Sequence, residues 1–207
     1  MITLHDNVDS GNAYKARLLL GQLGLPFRTI AYDVTRGETR TEDFLGRINA
    51  NGRIPVIEFD DGRCLAESNA ILYYFALGTN FFPDDRWRQA EIMQWLFFEQ
   101  YSHEPFVAVA KFILTMLPPD TPRRAEIPLL HEKGYAALQI LEDRLKNRDF
   151  LVGGEYSIAD IALFAYTHKA EMGGFDLGRF PAIQRWIGRV EKMPGFVAMY
   201  PKDGSRS

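Results

Sequence analysis

Every segment with strand character lies before residue 77, and beyond it only helical periodicity remains. A chain built this way is neither a uniform βαβ repeat nor an all-β sandwich. It predicts a small α/β unit followed by an all-helical one.

The first unit is legible in its punctuation. Ile2-Thr3-Leu4-His5 alternates as a strand, and Asp9-Ser10-Gly11-Asn12 is a turn cluster with helix-start residues. Apolar residues at Ala16, Leu19, Leu20 and Leu23 keep helical spacing from Ala13 until Gly24 and Pro26 stop it. Phe27–Tyr32 reads as a second strand, and a polar, irregular stretch follows, with a short helix around Glu42–Ile48. Gly52–Phe59 is a strand carrying Pro55, Asp60-Asp61-Gly62 a hairpin turn, and Arg63-Cys64-Leu65 the returning strand. Glu67–Leu77 closes the unit as a helix. The order β-α-β, irregular link, β-β-α predicts a sheet mixing parallel and antiparallel pairs.

Residues 78–86 form a turn-rich linker. Trp87–Leu117 then reads as a long amphipathic helix bent at Pro105, ended by Pro118, Pro119 and Pro122. Further helices are predicted over Pro128–Lys146, Ser157–Glu171 and Pro181–Lys192, with a polar, mobile tail over Pro201–Ser207. Tyr156-Ser157-Ile158-Ala159-Asp160-Ile161 carries a complete helix-start device: Ser157 as cap, Asp160 reaching back, Tyr156 and Ile161 as hydrophobic staple. A catalytic Ser157–Asp160 pair is the weaker reading because no base lies nearby.

Composition narrows the function. Net charge is −3 and the 24 basic residues are dispersed, so no basic arm or stripe points to nucleic acid or an anionic membrane. The start, MITLHDNVDSG, lacks the pattern of a secretory leader, and no apolar run approaches a membrane span. One cysteine, Cys64, excludes an internal disulfide and any Cys-Cys redox motif. His5, His103, His131 and His168 are scattered without metal-ligand spacing, and no metal is expected. These features describe a protein of a reducing compartment, with the cytoplasm as the expected location.

Three segments together resemble the cytosolic glutathione S-transferase family, nearest its bacterial members that use a serine. They are Ser10-Gly11-Asn12-Ala13-Tyr14-Lys15, then Asn49-Ala50-Asn51-Gly52-Arg53-Ile54-Pro55-Val56 followed by Glu67-Ser68, and the Ser157–Asp160 box. The resemblance implies an α/β thioredoxin-like N-terminal domain over residues 1–77 and an all-α C-terminal domain over 87–200, the glutathione transferase fold. It implies glutathione as co-substrate, a small hydrophobic electrophile as second substrate, detoxification as the role, and a homodimer.

The residues support specific roles. Ser10 and Asn12 are the candidate catalytic residues: a hydroxyl at a helix start can donate to a thiolate, and either residue can equally cap that helix. Tyr14 and His5 are weaker rivals. The resemblance makes Ile54–Pro55 a cis bond whose backbone pairs with the cysteinyl part of glutathione; from the residues alone an ordinary trans proline opening an edge strand fits as well. Arg53 suits the glycyl carboxylate, and Asn49 orients the loop. Glu67 and Ser68 at a helix start suit the γ-glutamyl end, although a first-turn Glu also complements the helix dipole without any ligand. Cys64, in a strand, is expected to be a buried structural thiol. Trp95, Phe97, Phe98, Tyr101, Phe106 and Phe112 crowd the long helix, most of them as packing residues. Tyr101, His103 and Phe106 are the candidates for the electrophile pocket, with Glu99 and Glu104 as polar interruptions nearby. Two other functions stay open: a glutathione-dependent peroxidase or disulfide reductase, and a non-catalytic binding protein of the same fold.

Overall fold

A computed structural model describes residues 1–200, and the tail expected to be mobile, Pro201–Ser207, lies outside the described residues. Two compact units divide the chain: Met1–Leu77 together with the segment from Pro194, and Gly78–Met193.

In the first unit β1 (Ile2–Asp6) leads through the turn at Asn7–Ser10 into α1 (Gly11–Gln22). β2 (Phe27–Ala31), β3 (Val56–Glu58), β4 (Cys64–Ala66) and α2 (Ser68–Ala76) complete it. The sheet order is β2-β1-β3-β4, with β1 parallel to β2 and antiparallel to β3, and β3 antiparallel to β4. The parallel pair needs a crossover, which α1 supplies; the antiparallel pair needs only the tight turn at Asp60–Gly62. Leu4, Ala16, Leu20, Ile57 and Ile71 form the core beneath α1 and α2. Phe44, Ile48 and Val56 pack as a second, smaller cluster.

The strand predicted over Gly52–Phe59 is shorter than expected. Ladder pairing begins only at Val56, because Pro55 before it has no N–H to give a ladder; the Ile54–Pro55 bond is cis. The short helix predicted near Glu42 is a π-helical turn over Phe44–Ile48.

The second unit is all-helical: α3 (Arg86–Phe98), α4 (Glu104–Thr115), α5 (Ile127–Leu145), α6 (Ile158–Thr167) and α7 (Pro181–Val190). The long predicted helix is interrupted ahead of Pro105 by a π-helical segment, Glu99–His103, after which Pro105 occupies the first turn of α4. The long helix expected to bend at Pro105 is thus divided just before that residue, with the proline in a first turn that tolerates it. All ten residues of α6 are buried. Its start is built as expected, with both halves of the Ser157–Asp160 capping box formed. Asp160 also accepts from the Leu151 amide at 3.0 Å and from Trp186 Nε1 at 2.9 Å, tying α6 to α7 and to the preceding loop.

The expected boundary at residue 200 moves. The segment from Pro194 belongs with the first unit, where Tyr14 Oη donates to the Val197 carbonyl at 2.7 Å. Gly21 permits the approach: a Cβ there would lie 2.5 Å from Val197 Cγ2.

Candidate functional site

Ser10 ends the β1–α1 turn in extended conformation and caps α1, its Oγ accepting from the Ala13 amide at 3.2 Å. Capping uses an oxygen lone pair and leaves the hydroxyl proton to donate, so the two roles proposed for Ser10 are compatible. The α1 N-terminus adds the positive end of its dipole at the same place.

Asn12 is the second residue of α1, and its Oδ1 accepts from Ser68 Oγ at 3.2 Å. That bond joins the first motif to the second. Glu67 precedes α2 with φ of 68°, the left-handed region that a residue with a Cβ avoids, and no side chain caps this helix. Holding such a residue there costs about 1–3 kcal/mol, and strain of that kind concentrates where a backbone must be presented to something else. The first amides of α2 thus carry no side-chain cap, and Ser68 is buried beside them. On the same unit the Ile54–Pro55 bond is cis, as the resemblance implies, with Pro55 buried and Ile54 outside the strand ladder.

Asn49, a candidate glutathione-binding residue, also has a task within its own loop. Its Nδ2 donates to the Arg53 carbonyl at 2.9 Å and its Oδ1 accepts from the Asn51 amide at 3.0 Å, so the side chain shapes the loop before Ile54. Arg53 itself is exposed on that loop.

Both rivals to Ser10 are engaged elsewhere. His5 is buried, with Nε2 3.0 Å from Glu58 Oε2 and Nδ1 2.9 Å from Tyr32 Oη. The carboxylate can only accept, so Nε2 carries the hydrogen and Nδ1 accepts from the tyrosine. Burial, aided by Asp43 and Glu58, raises the Tyr32 pKa and keeps its hydroxyl a donor. Tyr14 points its hydroxyl at Val197. Cys64 is half-buried where a buried thiol was expected; burial, followed by the Glu58 charge, raises its pKa and disfavours the thiolate.

With Ser10, Asn12, Ile54–Pro55, Glu67 and Ser68 gathered on one thioredoxin-like unit, comparison with known proteins is decisive. The glutathione S-transferase N-terminal domain model matches residues 1–76, and the C-terminal domain model residues 107–194. The chain belongs to the glutathione S-transferase family. A glutathione S-transferase from Pseudomonas fluorescens has a solved structure that is 50% identical, with a TM-score of 0.92, covering 97% of this chain and 99% of that one. The disulfide-bond oxidoreductase YfcG of Escherichia coli is 31% identical over 88% of this chain and 87% of its own. Glutathione S-transferase D6 of Drosophila melanogaster is 30% identical over 84% of this chain and 80% of its own. The protein is thus an enzyme of the glutathione S-transferase type.

The transferase's helical unit treats the three pocket candidates unequally. Tyr101 is 84% exposed and Phe106 half-buried, whereas His103 has no exposed surface. Thr167 Oγ1 donates to the Leu163 carbonyl, so His103 Nε2 donates to Thr167 Oγ1 at 3.0 Å. This corrects the placement of His103: it braces α6 from inside the helical core and lines no surface. Glu99 is buried as well, while Glu104 is half-buried.

Sequence reasoning passed over Lys15, which is fully buried and reaches Ser68 Oγ at 3.3 Å and Asn69 Oδ1 at 3.4 Å. One signal was present: Asn12 and Lys15 are three apart on α1 and therefore share a face. Among the described residues no group of three metal-ligating side chains assembles, and no helix is long and apolar enough to cross a membrane.

Proposed function

We propose that this enzyme activates glutathione as a serine-type transferase and directs its sulfur at a small hydrophobic electrophile. The observation that carries the reading is the convergence of Ser10, Ile54–Pro55 and Glu67-Ser68 on one unit, with Asn12 hydrogen-bonded to Ser68 across it. Glutathione lies extended along Ile54, its cysteinyl backbone pairing with main-chain groups the strand ladder does not use. Its γ-glutamyl carboxylate meets the α2 amides and Ser68, its α-ammonium pairs with Glu67, and Arg53 meets the glycyl carboxylate.

The thiol then stands at the start of α1. Donation from the Ser10 hydroxyl and the positive end of the helix dipole stabilise the thiolate, the form that attacks. The thiolate forms a new carbon–sulfur bond as the electrophile's leaving group departs with its electron pair. Ser10 stabilises charge and forms no covalent bond; Asn12 ties the two helix starts together until the carboxylate accepts from Ser68 in its place. The reading carries with it a cytoplasmic location, where glutathione is reduced, a role in detoxification, and a symmetric homodimer.

Calorimetry with glutathione, and turnover with an aromatic halide for native protein and Ser10→Ala, test this. Ser10→Ala is expected to keep the fold and lose about 10- to 100-fold in kcat, with a small change in KM. Unchanged kcat would remove Ser10 from the mechanism. Binding without turnover on the halide, a hydroperoxide or a disulfide would leave a binding protein.

Similarity to the disulfide-bond oxidoreductase of Escherichia coli favours a second reading for the same site. Two glutathione molecules would reduce a disulfide to two thiols and leave as glutathione disulfide, all sulfur chemistry residing in glutathione and substrate. Turnover of a small disulfide exceeding that of the halide would select it.

A further inference from the structure

Lys15 is the one lysine of α1, and the helix carries it wholly inside the first unit. Burying an ammonium is costly, and a Met or Leu would fill the same volume without that cost. What the ammonium does there is visible from its contacts. It donates to Ser68 Oγ at 3.3 Å and to Asn69 Oδ1 at 3.4 Å, both in the first turn of α2.

Lys15 occupies one lone pair of Ser68 Oγ and sets a positive charge against that oxygen, leaving the hydroxyl proton to be donated elsewhere. In the structure that proton goes to Asn12 Oδ1 at 3.2 Å. A hydroxyl that accepts from an ammonium while donating onward is polarised and donates more strongly. An arriving carboxylate that accepts this hydrogen in place of Asn12 is met by a polarised donor with a positive charge behind it.

We propose that Lys15 is a positioning residue that selects for a carboxylate at the start of α2. It strengthens Ser68 as a donor and places a positive charge behind it, so that end of the site favours an anionic acceptor. The inference deepens the glutathione reading and rests on it, the selected group being the γ-glutamyl α-carboxylate.

The test compares two ligands by calorimetry: glutathione, and 4-aminobutyryl-cysteinyl-glycine, which is glutathione without that carboxylate. Native protein should prefer glutathione. Lys15→Met should weaken glutathione by about 10- to 100-fold while leaving the analogue within about twofold, erasing the preference. In a Ser68→Ala background the further loss from Lys15→Met should fall to about threefold or less, since Lys15 acts through that hydroxyl. Should Lys15→Met fail to fold, Lys15→Gln removes the charge but keeps a polar group. It is expected to weaken glutathione by about fivefold or more with the analogue unchanged. Equal weakening of both ligands, or an undiminished effect in Ser68→Ala, overturns the assignment to Lys15 alone. Absence of glutathione binding by native protein overturns the parent reading and this one with it.

Discussion

Glu67 shows how a single dihedral angle separates stability from binding. Its left-handed backbone is strained for any residue with a Cβ, while glycine accepts it readily. Glu67→Gly should therefore leave the melting temperature unchanged or raise stability by up to about 1 kcal/mol, strain relief outweighing the extra freedom of the unfolded chain. Glutathione affinity should nevertheless fall about tenfold, through loss of the carboxylate that pairs with the α-ammonium. Thermal denaturation and calorimetry on the same preparation check both halves. A loss of stability with binding intact would mean that Glu67 serves the fold and not the ligand. Ser10 differs in kind. Its cap contributes about 1 kcal/mol to α1, so the Ser10→Ala comparison carries that small structural cost alongside its effect on kcat.

At the scale of the element, α6 carries two buried titratable groups with opposite linkage to folding. Burial pushes the Asp160 carboxyl from 3.8 up to about 6, against hydrogen bonds from Trp186, Leu151 and Ser157 that pull it down. Its contribution to stability is present below pH 3.8 and is lost as pH rises through about 6. His168, following the last turn, stacks on Phe164 at 4.3 Å and donates Nδ1–H to the Phe164 carbonyl at 2.7 Å. Burial lowers its pKa from 6.5 to about 4, so its contribution is present above pH 6.5 and lost as pH falls through about 4. Each displacement corresponds to roughly 3 kcal/mol, and within the native helix the two largely cancel. Urea denaturation across this range should separate them. Relative to native protein, the stability of Asp160→Asn should rise between pH 4 and 6, and that of His168→Gln should fall. Difference profiles of the same sign would refute the opposition.

At the scale of the molecule, the chain returns to its first unit after completing the second. The segment from Pro194 is fastened by Tyr14 Oη on the Val197 carbonyl and by the absence of a side chain at Gly21. Tyr14→Phe should cost about 1 kcal/mol, and Gly21→Ala about 1–3 kcal/mol, because its Cβ would overlap Val197. Limited proteolysis should cut after Met193 sooner in both variants; unchanged cleavage would show that the fastening lies elsewhere. Neither contact was legible beforehand. Tyr14 and Val197 are separated by nearly the whole chain, and periodicity reports which side of an element is buried without naming what buries it. The same limit explains His103, whose place in a polar interruption resembled a cleft position until the π-helical turn carried it inward to Thr167. It explains Lys15 too, since a charged residue on an amphipathic helix normally reads as solvated surface. Local chemistry was written along the chain: the caps at Ser10 and Ser157, the hairpin at Asp60–Gly62, and the change from alternating to helical periodicity at residue 77 all act within a few residues of themselves. The tertiary structure alone decided which distant groups meet, joining Asn12 to Ser68 and Lys15 to Asn69, because hydrogen bonds between helices depend on how a core packs and not on neighbours in sequence.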